Sequence, residues 1–179
     1  MFRNFLSFLR KDCNIGKLVK NGLIIGENCS IARSCVIDES HTWLIEIGNN
    51  VTITERCVIL AHDASMRKDL GYTKLGNVKV GDNVFVGVNS VILPNTTIGD
   101  GAIIGAGSVV SGNVEANSVY AGVPARKIAT KDEFLSKHKG NLTEENIFDD
   151  SYTLRGNVSD DKKAEMKERI SRSGVGYVK

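Results

Sequence analysis

An aliphatic residue returns at every sixth position through the middle of this chain, and this period constrains the fold more than any other feature. Between the first two blocks of the repeat the phase slips by four residues, and a longer interruption precedes the third block. A period of six does not match the 3.6-residue turn of an α-helix, and the high β-branched content favours strands. The twelve aliphatic positions are Ile25, Ile31, Ile37, Ile47, Ile53, Ile59, Val80, Val86, Ile92, Ile98, Ile104 and Val110.

The position four residues after each aliphatic residue is restricted as well. Ten of the twelve residues there are small or β-branched, as a second inward position in a narrow interior requires, and the exceptions are His41 and Asp63. The segments between are rich in Gly, Asn and Asp, which tolerate left-handed backbone conformations and form tight turns. The pattern therefore predicts short strands joined by sharp corners. The ten restricted residues are Cys29, Cys35, Val51, Cys57, Val84, Ser90, Thr96, Ala102, Ser108 and Val114.

The composition agrees with a narrow interior and excludes several classes of protein. Only 6% of the residues are aromatic, so the core is built mainly from small aliphatic side chains. Glycine accounts for 18 of the 179 residues, a share above the usual ~7% that suits many corners. A formal net charge of +2 indicates no basic surface for nucleic acid. No apolar run approaches the ~18 residues that a transmembrane helix needs.

The N-terminal segment combines large apolar residues with Arg3, Arg10 and Lys11. This run is too short and too interrupted for the core of a signal peptide. We expect residues 1–20 to be a helical segment that packs on its own domain as an amphipathic helix, with a membrane-surface anchor as the alternative. Without a signal peptide we expect a cytoplasmic protein with reduced thiols, so the cysteines do not indicate a disulfide framework.

The last block of hexads, at 80–110, is followed by the segment YAGVPARK at 120–127. This arrangement resembles the hexapeptide-repeat acyltransferases, and most closely their sugar and antibiotic O-acetyltransferase branch, over residues 25–130. The resemblance implies a mainly β fold, a left-handed parallel β-helix with three hexads to a coil and about four coils in all. It also implies assembly as a homotrimer and acetyl-CoA as the co-substrate, with no metal required.

The repeat divides the chain into an N-terminal segment at 1–20, a β-helix domain at 21–130 and a C-terminal extension at 131–179. Residues 63–77 cannot fit one hexad, so we expect them to leave the β-helix as a loop. This loop is either an arm that covers a neighbouring subunit's cleft or a tolerated surface insertion.

The C-terminal extension is charged and is expected to be helical at 131–139 and 159–172. Ser159, followed by two acidic residues, suits an N-cap, and Gly174 suits the end of the second helix. We expect the extension to fold over the β-helix or over a neighbouring subunit in a structural role.

His62 lies at the root of the loop, three residues after Ile59. The resemblance implies that His62 is the catalytic base, because the family places its catalytic histidine just before the extruded loop. Imidazole, with an unperturbed pKa near 6.5, can accept the proton of a hydroxyl group and pass it to a leaving thiolate. Asp63 and Glu46 are the candidate catalytic partners that orient His62, and Glu55 lies nearby in the sequence.

The resemblance also implies a groove for acetyl-CoA along the later coils, with basic side chains at the nucleotide phosphates. An oxyanion would be stabilised by a backbone N–H near Gly87 or Val88. The slip segment at 41–44, which contains the single Trp, either lines the acceptor cleft or forms a packed corner. The cofactor-binding candidates are Phe85, Gly87, Ala106 and Ser111 along the groove, with Arg126 and Lys127 at the phosphates.

A metal centre is not expected from the sequence. No CxxC pair occurs, and His41, His62 and His138 do not form a ligand set of zinc-site spacing. Cys13 precedes the repeats and has no assigned role. The other cysteines occupy the second inward position and are expected to be packing thiols, namely Cys29, Cys35 and Cys57.

We therefore expect an acetyltransferase that moves an acetyl group from acetyl-CoA to a hydroxyl of a sugar or polysaccharide precursor, by direct transfer with a histidine general base. Two enzymatic alternatives remain open, a sugar-amine N-acetyltransferase and a serine or antibiotic O-acetyltransferase. A non-catalytic β-helical scaffold is the alternative of a different class.

Overall fold

The structure, a computed structural model, describes residues 13–179. The part of the expected helical segment at 1–20 that precedes residue 13 lies outside the described residues. The chain divides into two compact units, one that ends at Glu133 and one at Phe134–Lys179. Among the described helices, none is both long enough and apolar enough to cross a membrane.

Short parallel strands, most of them two or three residues long, build the first unit. Its helices are α1 (Ile15–Lys20), a 3₁₀-helix (Thr42–Leu44) and α2 (Arg67–Leu70). Its strands are β1 (Ile24–Ile25), β2 (Ser30–Ile31), β3 (Val36–Ile37), β4 (Ile45–Ile47), β5 (Thr52–Ile53), β6 (Val58–Ile59), β7 (His62–Asp63), β8 (Lys74–Leu75), β9 (Val78–Val80), β10 (Phe85–Val86), β11 (Val91–Ile98), β12 (Ile103–Ile104), β13 (Val109–Val114), β14 (Ser118–Ala121) and β15 (Arg126–Thr130).

The aliphatic positions of the repeat stack on one another in successive coils and form three faces. This register confirms the predicted parallel β-helix. All but Ile25 and Ile31 of the twelve aliphatic residues are buried. The three stacks are Ile25, Ile47, Val80, Ile98 and Val114; Ile31, Ile53, Val86, Ile104 and Tyr120; and Ile37, Ile59, Ile92 and Val110.

The stacks also extend the β-helix beyond the four predicted coils. Val114 is in register with Ile98, and Tyr120 with Ile104, so a fifth, incomplete coil follows the last hexad. The sequence pattern had placed Val114 in the second inward position of its hexad. It lies in the aliphatic stack because the chain needs only four residues, not six, to pass from Val110 to this position.

The corners of the coils have the predicted left-handed backbone. Six asparagines immediately before second inward positions or their equivalents have φ between 50° and 61°, a region that Asn tolerates better than most residues. Gly101 and Gly107 occupy the same place with φ of 67° and 69°. The six asparagines are Asn28, Asn50, Asn83, Asn89, Asn95 and Asn117.

Hydroxyl groups in the interior are satisfied locally. Ser90 and Ser108 are fully buried, and each donates its O–H to the carbonyl oxygen three residues earlier, at 2.7 and 2.6 Å. Thr96 bonds the carbonyl of Leu93 in the same way at 2.6 Å. The repeated bond explains why a dry interior accepts Ser and Thr, since a buried hydroxyl without a partner is costly.

The chain leaves the coils between β6 and β9, in an excursion that contains the expected loop at 63–77. Strands β7 and β8 form an antiparallel pair in which His62 lies opposite Leu75 and Asp63 lies opposite Lys74. Helix α2 lies between the two strands and ends at Gly71 with φ of 78°. The pair holds the base of the excursion together and fixes where His62 leaves the β-helix.

The end of the β-helix turns back on itself, because β14 and β15 pair in an antiparallel direction. Helix α3 (Lys131–Gly140) follows, and the second unit contains β16 (Ile147–Phe148), a 3₁₀-helix (Asp150–Tyr152), α4 (Asp160–Ser173) and β17 (Tyr177–Val178). The side chain of Ser159 accepts a hydrogen bond from the Lys162 N–H at the start of α4, and Gly174 ends the helix with φ of 73°. The prediction of a helical C-terminal tail is confirmed.

Candidate active site

A buried carboxylate orients His62. Asp38 follows β3 directly, and its N–H donates to the carbonyl of Ile59 at 2.9 Å, which brings the end of β3 beside the end of β6. Oδ2 of Asp38 bonds Nδ1 of His62 and accepts the N–H of Ala61 at 3.0 Å. Oδ1 accepts the N–H of Ser40 at 2.9 Å.

The hydrogen bonds around Asp38 decide its charge. Burial of this residue, which is only 4% exposed, acts to raise its pKa. The hydrogen bonds from His62, Ala61 and Ser40 outweigh burial and hold the pKa of Asp38 below its ordinary value. Asp38 is therefore an acceptor at neutral pH, so Nδ1 of His62 carries the proton. Nε2 is left as the imidazole nitrogen that can accept a proton.

His62 borders two clefts. Cleft 1, of about 270 Å³, lies on the side of α1 and the first coil, where Asn14, Lys17, Glu39 and Ser40 line it. Cleft 2, of about 510 Å³, lies on the side of the later coils and the excursion. The side chain of His62 is 33% exposed, so the ring is reachable while Asp38 is not. Cleft 2 is lined by Leu60, Asp63, Ala64, Lys74, Leu93, Pro94 and Ser111 as well as His62.

A second histidine lies beside the first. The ring centroid of His41 is 5.4 Å from that of His62 and 5.5 Å from that of Trp43, whose side chain is 59% exposed. Nδ1 of His41 is buried and has no hydrogen-bond partner among the described residues. One possible ligand atom each from Asp38, His41 and His62 lies within 4.8 Å of the others.

The structure places neither Asp63 nor Glu46 in the position that Asp38 occupies. Asp63 accepts the N–H of Ser65 at 2.9 Å, and the hydrogen bonds from Ser65 lower its pKa. Glu46 forms an ion pair with Lys79 at 3.0 Å and lines a groove whose lining does not include His62. Asp38 was not among the residues predicted from the sequence, although pairing the third hexads of the first two coils would have placed it beside the chain that leads to His62.

The cofactor-binding candidates of the later coils differ in what they expose. Ser111 is exposed and lines cleft 2 together with His62, and Ala106 is also exposed. Phe85 is 43% exposed on the outer surface of β10. Gly87 is buried, and its N–H donates to the carbonyl of Ile104 on the next coil at 2.8 Å. This N–H was a candidate donor to an oxyanion, but the hydrogen bond between the coils already uses it.

Glycine at position 87 has a packing reason. A Cβ there would come within 2.6 Å of the backbone nitrogen of Ala106 on the next coil.

Arg126 is exposed and donates to the carbonyl of Ala125 at 2.9 Å. Lys127 pairs with Glu115 at 2.5 Å, and this hydrogen bond raises the pKa of the lysine.

The cysteines of the repeat lie in the positions expected for packing thiols. Cys35 and Cys57 are 2% and 0% exposed, and their sulfurs approach backbone carbonyls at 3.0 and 3.2 Å. The hydrogen bond to Cys57, together with burial, raises the pKa of Cys35. Cys13 and Cys29 are partly exposed, and all four cysteines are free thiols.

Stacked parallel coils with a six-residue period, and a histidine where the chain leaves them, define a hexapeptide-repeat protein. The family model described as "Bacterial transferase hexapeptide (six repeats)" matches residues 77–112, which span the third and fourth coils. Protein CapG of Staphylococcus aureus is 40% identical over 146 residues, which cover 76% of this chain and 83% of CapG. The chain belongs to the hexapeptide-repeat acetyltransferase family.

Two solved structures show the same architecture. A maltose O-acetyltransferase from Clostridium difficile 630 is 36% identical with a TM-score of 0.53, and the match covers 61% of this chain and 59% of that one. A hexapeptide-repeat acetyltransferase from Vibrio cholerae O1 biovar eltor, complexed with acetyl coenzyme A, is 27% identical with a TM-score of 0.55 and coverages of 61% and 60%. This chain thus spans less than two thirds of the length of either solved relative.

Proposed function

We propose that this chain is an acetyl-CoA-dependent O-acetyltransferase whose acceptor is a hydroxyl of a sugar or polysaccharide precursor. The observation that carries the proposal is the Asp38–His62 pair, whose histidine borders two clefts. Acyl transfer in a single step needs a base that touches acceptor and donor at once, and positioning supplies much of the rate. The solved relatives include a maltose O-acetyltransferase and an acetyltransferase complexed with acetyl coenzyme A, which supports the same donor here.

In the proposed reaction, Nε2 of His62 removes the proton of the acceptor hydroxyl as its oxygen attacks the carbonyl carbon of the acetyl thioester. The carbon–sulfur bond then breaks, and the leaving thiolate takes the proton from the imidazolium. Products are the acetyl ester and free CoA, so no covalent enzyme intermediate is needed. Asp38 keeps the ring in the productive tautomer and stabilises the positive charge that forms on it.

We assign the donor to cleft 2 and the acceptor to cleft 1. Ser111 lines cleft 2 and stands at a position that, by the family resemblance, follows the pantetheine arm. Cleft 1 is lined by Asn14, Lys17, Glu39 and Ser40, a set of donors and acceptors that suits a polyhydroxylated ligand. This assignment puts the two substrates on opposite sides of His62.

The exposed Trp43 supports a sugar as the acceptor. Trp43 is 59% exposed, and its ring lies against His41, which in turn lies against His62. A flat aromatic face can stack on the apolar face of a sugar ring, while the hydroxyls of the ring remain free for polar partners. The slip segment at 41–44 is thus proposed to border the acceptor.

Further features of the proposal follow from the family resemblance. We propose a homotrimer in which the excursion at 63–77 covers a neighbouring subunit's cleft. The β-helix domain is proposed at 21–130, between an N-terminal segment at 1–20 and an extension at 131–179. Because acetyl-CoA is an intracellular donor, the reaction is proposed to take place in the cytoplasm.

The test is release of thiol from acetyl-CoA by the purified protein with a panel of sugars, amino sugars and serine. His62→Ala is expected to lower the rate on the order of 10²–10⁴-fold, the usual contribution of general acid–base catalysis. His138→Ala is the matched control, because this histidine contacts Phe134 and Tyr177 in the second unit. Full activity of His62→Ala would refute the mechanism. Transfer to amino sugars alone would indicate an N-acetyltransferase, and no transfer or acetyl-CoA binding would indicate a scaffold.

A further inference from the structure

Three metal-binding side chains meet where the first coil ends. Asp38 and His41 flank the corner after β3, and His62 reaches it from the next coil. One possible ligand atom from each residue lies within 4.8 Å of the other two. The slip of four residues in the repeat follows this corner, and the ring of His41 lies 5.4 Å from that of His62.

One ring nitrogen of His41 lacks a hydrogen bond among the residues that the structure describes. This nitrogen, Nδ1, is buried. A buried nitrogen without a partner is unfavourable, and native structures usually satisfy such atoms with protein, water or a bound ion. The orphan nitrogen and the ligand cluster are separate observations, and both point to a bound group at this corner.

Two imidazoles and one carboxylate are a ligand set that suits a borderline divalent cation such as Zn²⁺. Around a tetrahedral ion with bonds of about 2.0–2.2 Å, ligand atoms stand about 3.4 Å apart. No two of these atoms are more than 4.8 Å apart, so the widest separation has to close by at most about 1.4 Å. His41 is only partly buried and lies at the start of a 3₁₀-helix, so its side chain can make this movement.

The surroundings of Asp38 resemble the support that metal ligands receive in proteins. The N–H groups of Ser40 and Ala61 fix its two carboxylate oxygens, and such outer contacts orient a ligand before the metal arrives. The partial exposure of His62 leaves a side of the cluster open for entry of the ion and for a water ligand.

We propose that Asp38, His41 and His62 form a divalent-cation site that binds Zn²⁺ reversibly, and that a filled site withdraws His62 from catalysis. The ion takes the place of the proton that Asp38 and His62 share, so it competes with the reaction and is not needed for it. Binding of the ion goes beyond the proposed acetyl transfer and does not depend on it; only the inhibition does.

Zinc binding is tested on the full chain, free of affinity tags and kept reduced, by isothermal titration with Zn²⁺. One ion per protomer is expected. His41→Gln, which removes a ligand, is expected to weaken Zn²⁺ binding about 10-fold or more. Asp38→Asn, which replaces the carboxylate ligand, is expected to weaken Zn²⁺ binding as well. His138→Gln is the matched control, because His138 belongs to the second unit and is expected to leave the affinity unchanged.

The absorption spectrum of bound Co²⁺ distinguishes binding at this site from binding at the cysteines. Co²⁺ bound at Asp38, His41 and His62 is expected to show visible bands of nitrogen and oxygen ligands without a sulfur-to-cobalt charge-transfer band. Failure to bind Zn²⁺, equal affinity in folded His41→Gln, or a thiolate band would each overturn the site. Circular dichroism melts check that the variants are folded.

Inhibition is followed by mass spectrometry of the acetylated product, because Zn²⁺ also binds the free thiol of CoA. Added Zn²⁺ is expected to inhibit the wild type at a lower concentration than it inhibits His41→Gln. Equal inhibition of both would overturn the inhibitory role. A protein that binds Zn²⁺ at this corner but transfers no acetyl group would refute the proposed function and leave the metal site standing.

Discussion

Asp38 accepts a hydrogen bond from Nδ1 of His62, although the two residues lie 24 positions apart in the sequence. They meet because Ile37 and Ile59 are in register on the third face of the β-helix. Asp38 comes one position after Ile37, and His62 comes three positions after Ile59, so both follow the same face. The coil geometry thus builds a carboxylate–imidazole pair without any long loop. The pair is rigid on one side, since backbone N–H groups anchor the carboxylate.

Replacing the buried carboxylate by an amide tests the orientation of the imidazole. Asp38→Asn keeps the shape of the side chain, but its new amide group can donate to Nδ1 and so favours the tautomer with a proton on Nε2. We expect the maximal rate of thiol release to fall on the order of 10²–10⁴-fold with little change in KM for acetyl-CoA.

The controls for this experiment are the two carboxylates that the sequence had suggested. Glu46→Gln breaks an ion pair with Lys79, and Asp63→Asn removes the charge of a side chain whose oxygen accepts the N–H of Ser65. Both are expected to lower the rate far less than Asp38→Asn does. A loss in either control equal to that in Asp38→Asn would show that Asp38 is not the residue that orients His62.

The same pair makes a prediction about stability and pH. Because the pKa of Asp38 is lower in the folded protein than in the unfolded chain, its ionised form stabilises the fold above the unfolded value near 3.9. This contribution is lost as the pH falls through the folded pKa. The difference in unfolding free energy between wild type and Asp38→Asn should therefore shrink as the pH falls below about 4. Urea unfolding across this range measures it, and a difference that grows with acid would contradict the assignment.

The aliphatic stacks predict which core substitutions are severe. Ile92 is 0% exposed and stacks between Ile59 and Val110. Ile92→Ala should lower the free energy of unfolding by about 2–5 kcal/mol, because a narrow interior collapses poorly around a cavity. Ile24→Ala is the matched control, since Ile24 is 58% exposed on the outside of β1. Urea denaturation compares the free energy of unfolding of the two variants. Equal losses of stability would show that the inward orientation of a side chain does not determine how much its truncation destabilises the fold.

The period of six was sufficient to predict short strands joined by corners, because each hexad contributes one strand and one corner, and the family resemblance supplied the β-helix. The period also located the residues that face inward and the excursion at which the repeat fails. The incomplete fifth coil escaped prediction because the step from Val110 to Val114 is four residues long and breaks the period. A bulge in the pairing of β11 with β13 absorbs this shortening.

The sequence predicted the functional site less completely than it predicted the fold. His62 was a candidate because the family resemblance places a catalytic histidine before the extruded loop, but the orienting role of Asp38 depends on which residues of adjacent coils lie side by side. The slip of four residues conceals this register, because it changes the spacing between equivalent positions from coil to coil. The contact of His41 with His62 has the same origin, since both rings lie at corners that the repeat does not describe.

The assignment of cleft 2 to the donor predicts a selective effect at its exposed edge. Ser111 lies on β13 and lines this cleft with Leu93 and His62. Ser111→Leu should raise KM for acetyl-CoA and leave KM for the acceptor nearly unchanged, because the larger side chain narrows one cleft only. Steady-state kinetics with each substrate varied in turn measures both constants. A rise in the acceptor constant alone would reverse the assignment of the clefts.

Trp43 provides the complementary test on the acceptor side. Trp43 packs closely against Gly22, where an added Cβ would come within 2.9 Å of the Trp43 Cβ, while Trp43 remains 59% exposed. Trp43→Ala should raise KM for a sugar acceptor about fivefold, as expected for loss of an apolar contact of about 1 kcal/mol. KM for acetyl-CoA should not change. Leu154→Ala, at a residue that is 86% exposed in the second unit, controls for loss of an exposed apolar side chain. An unchanged acceptor constant in Trp43→Ala would exclude stacking of the sugar on this indole.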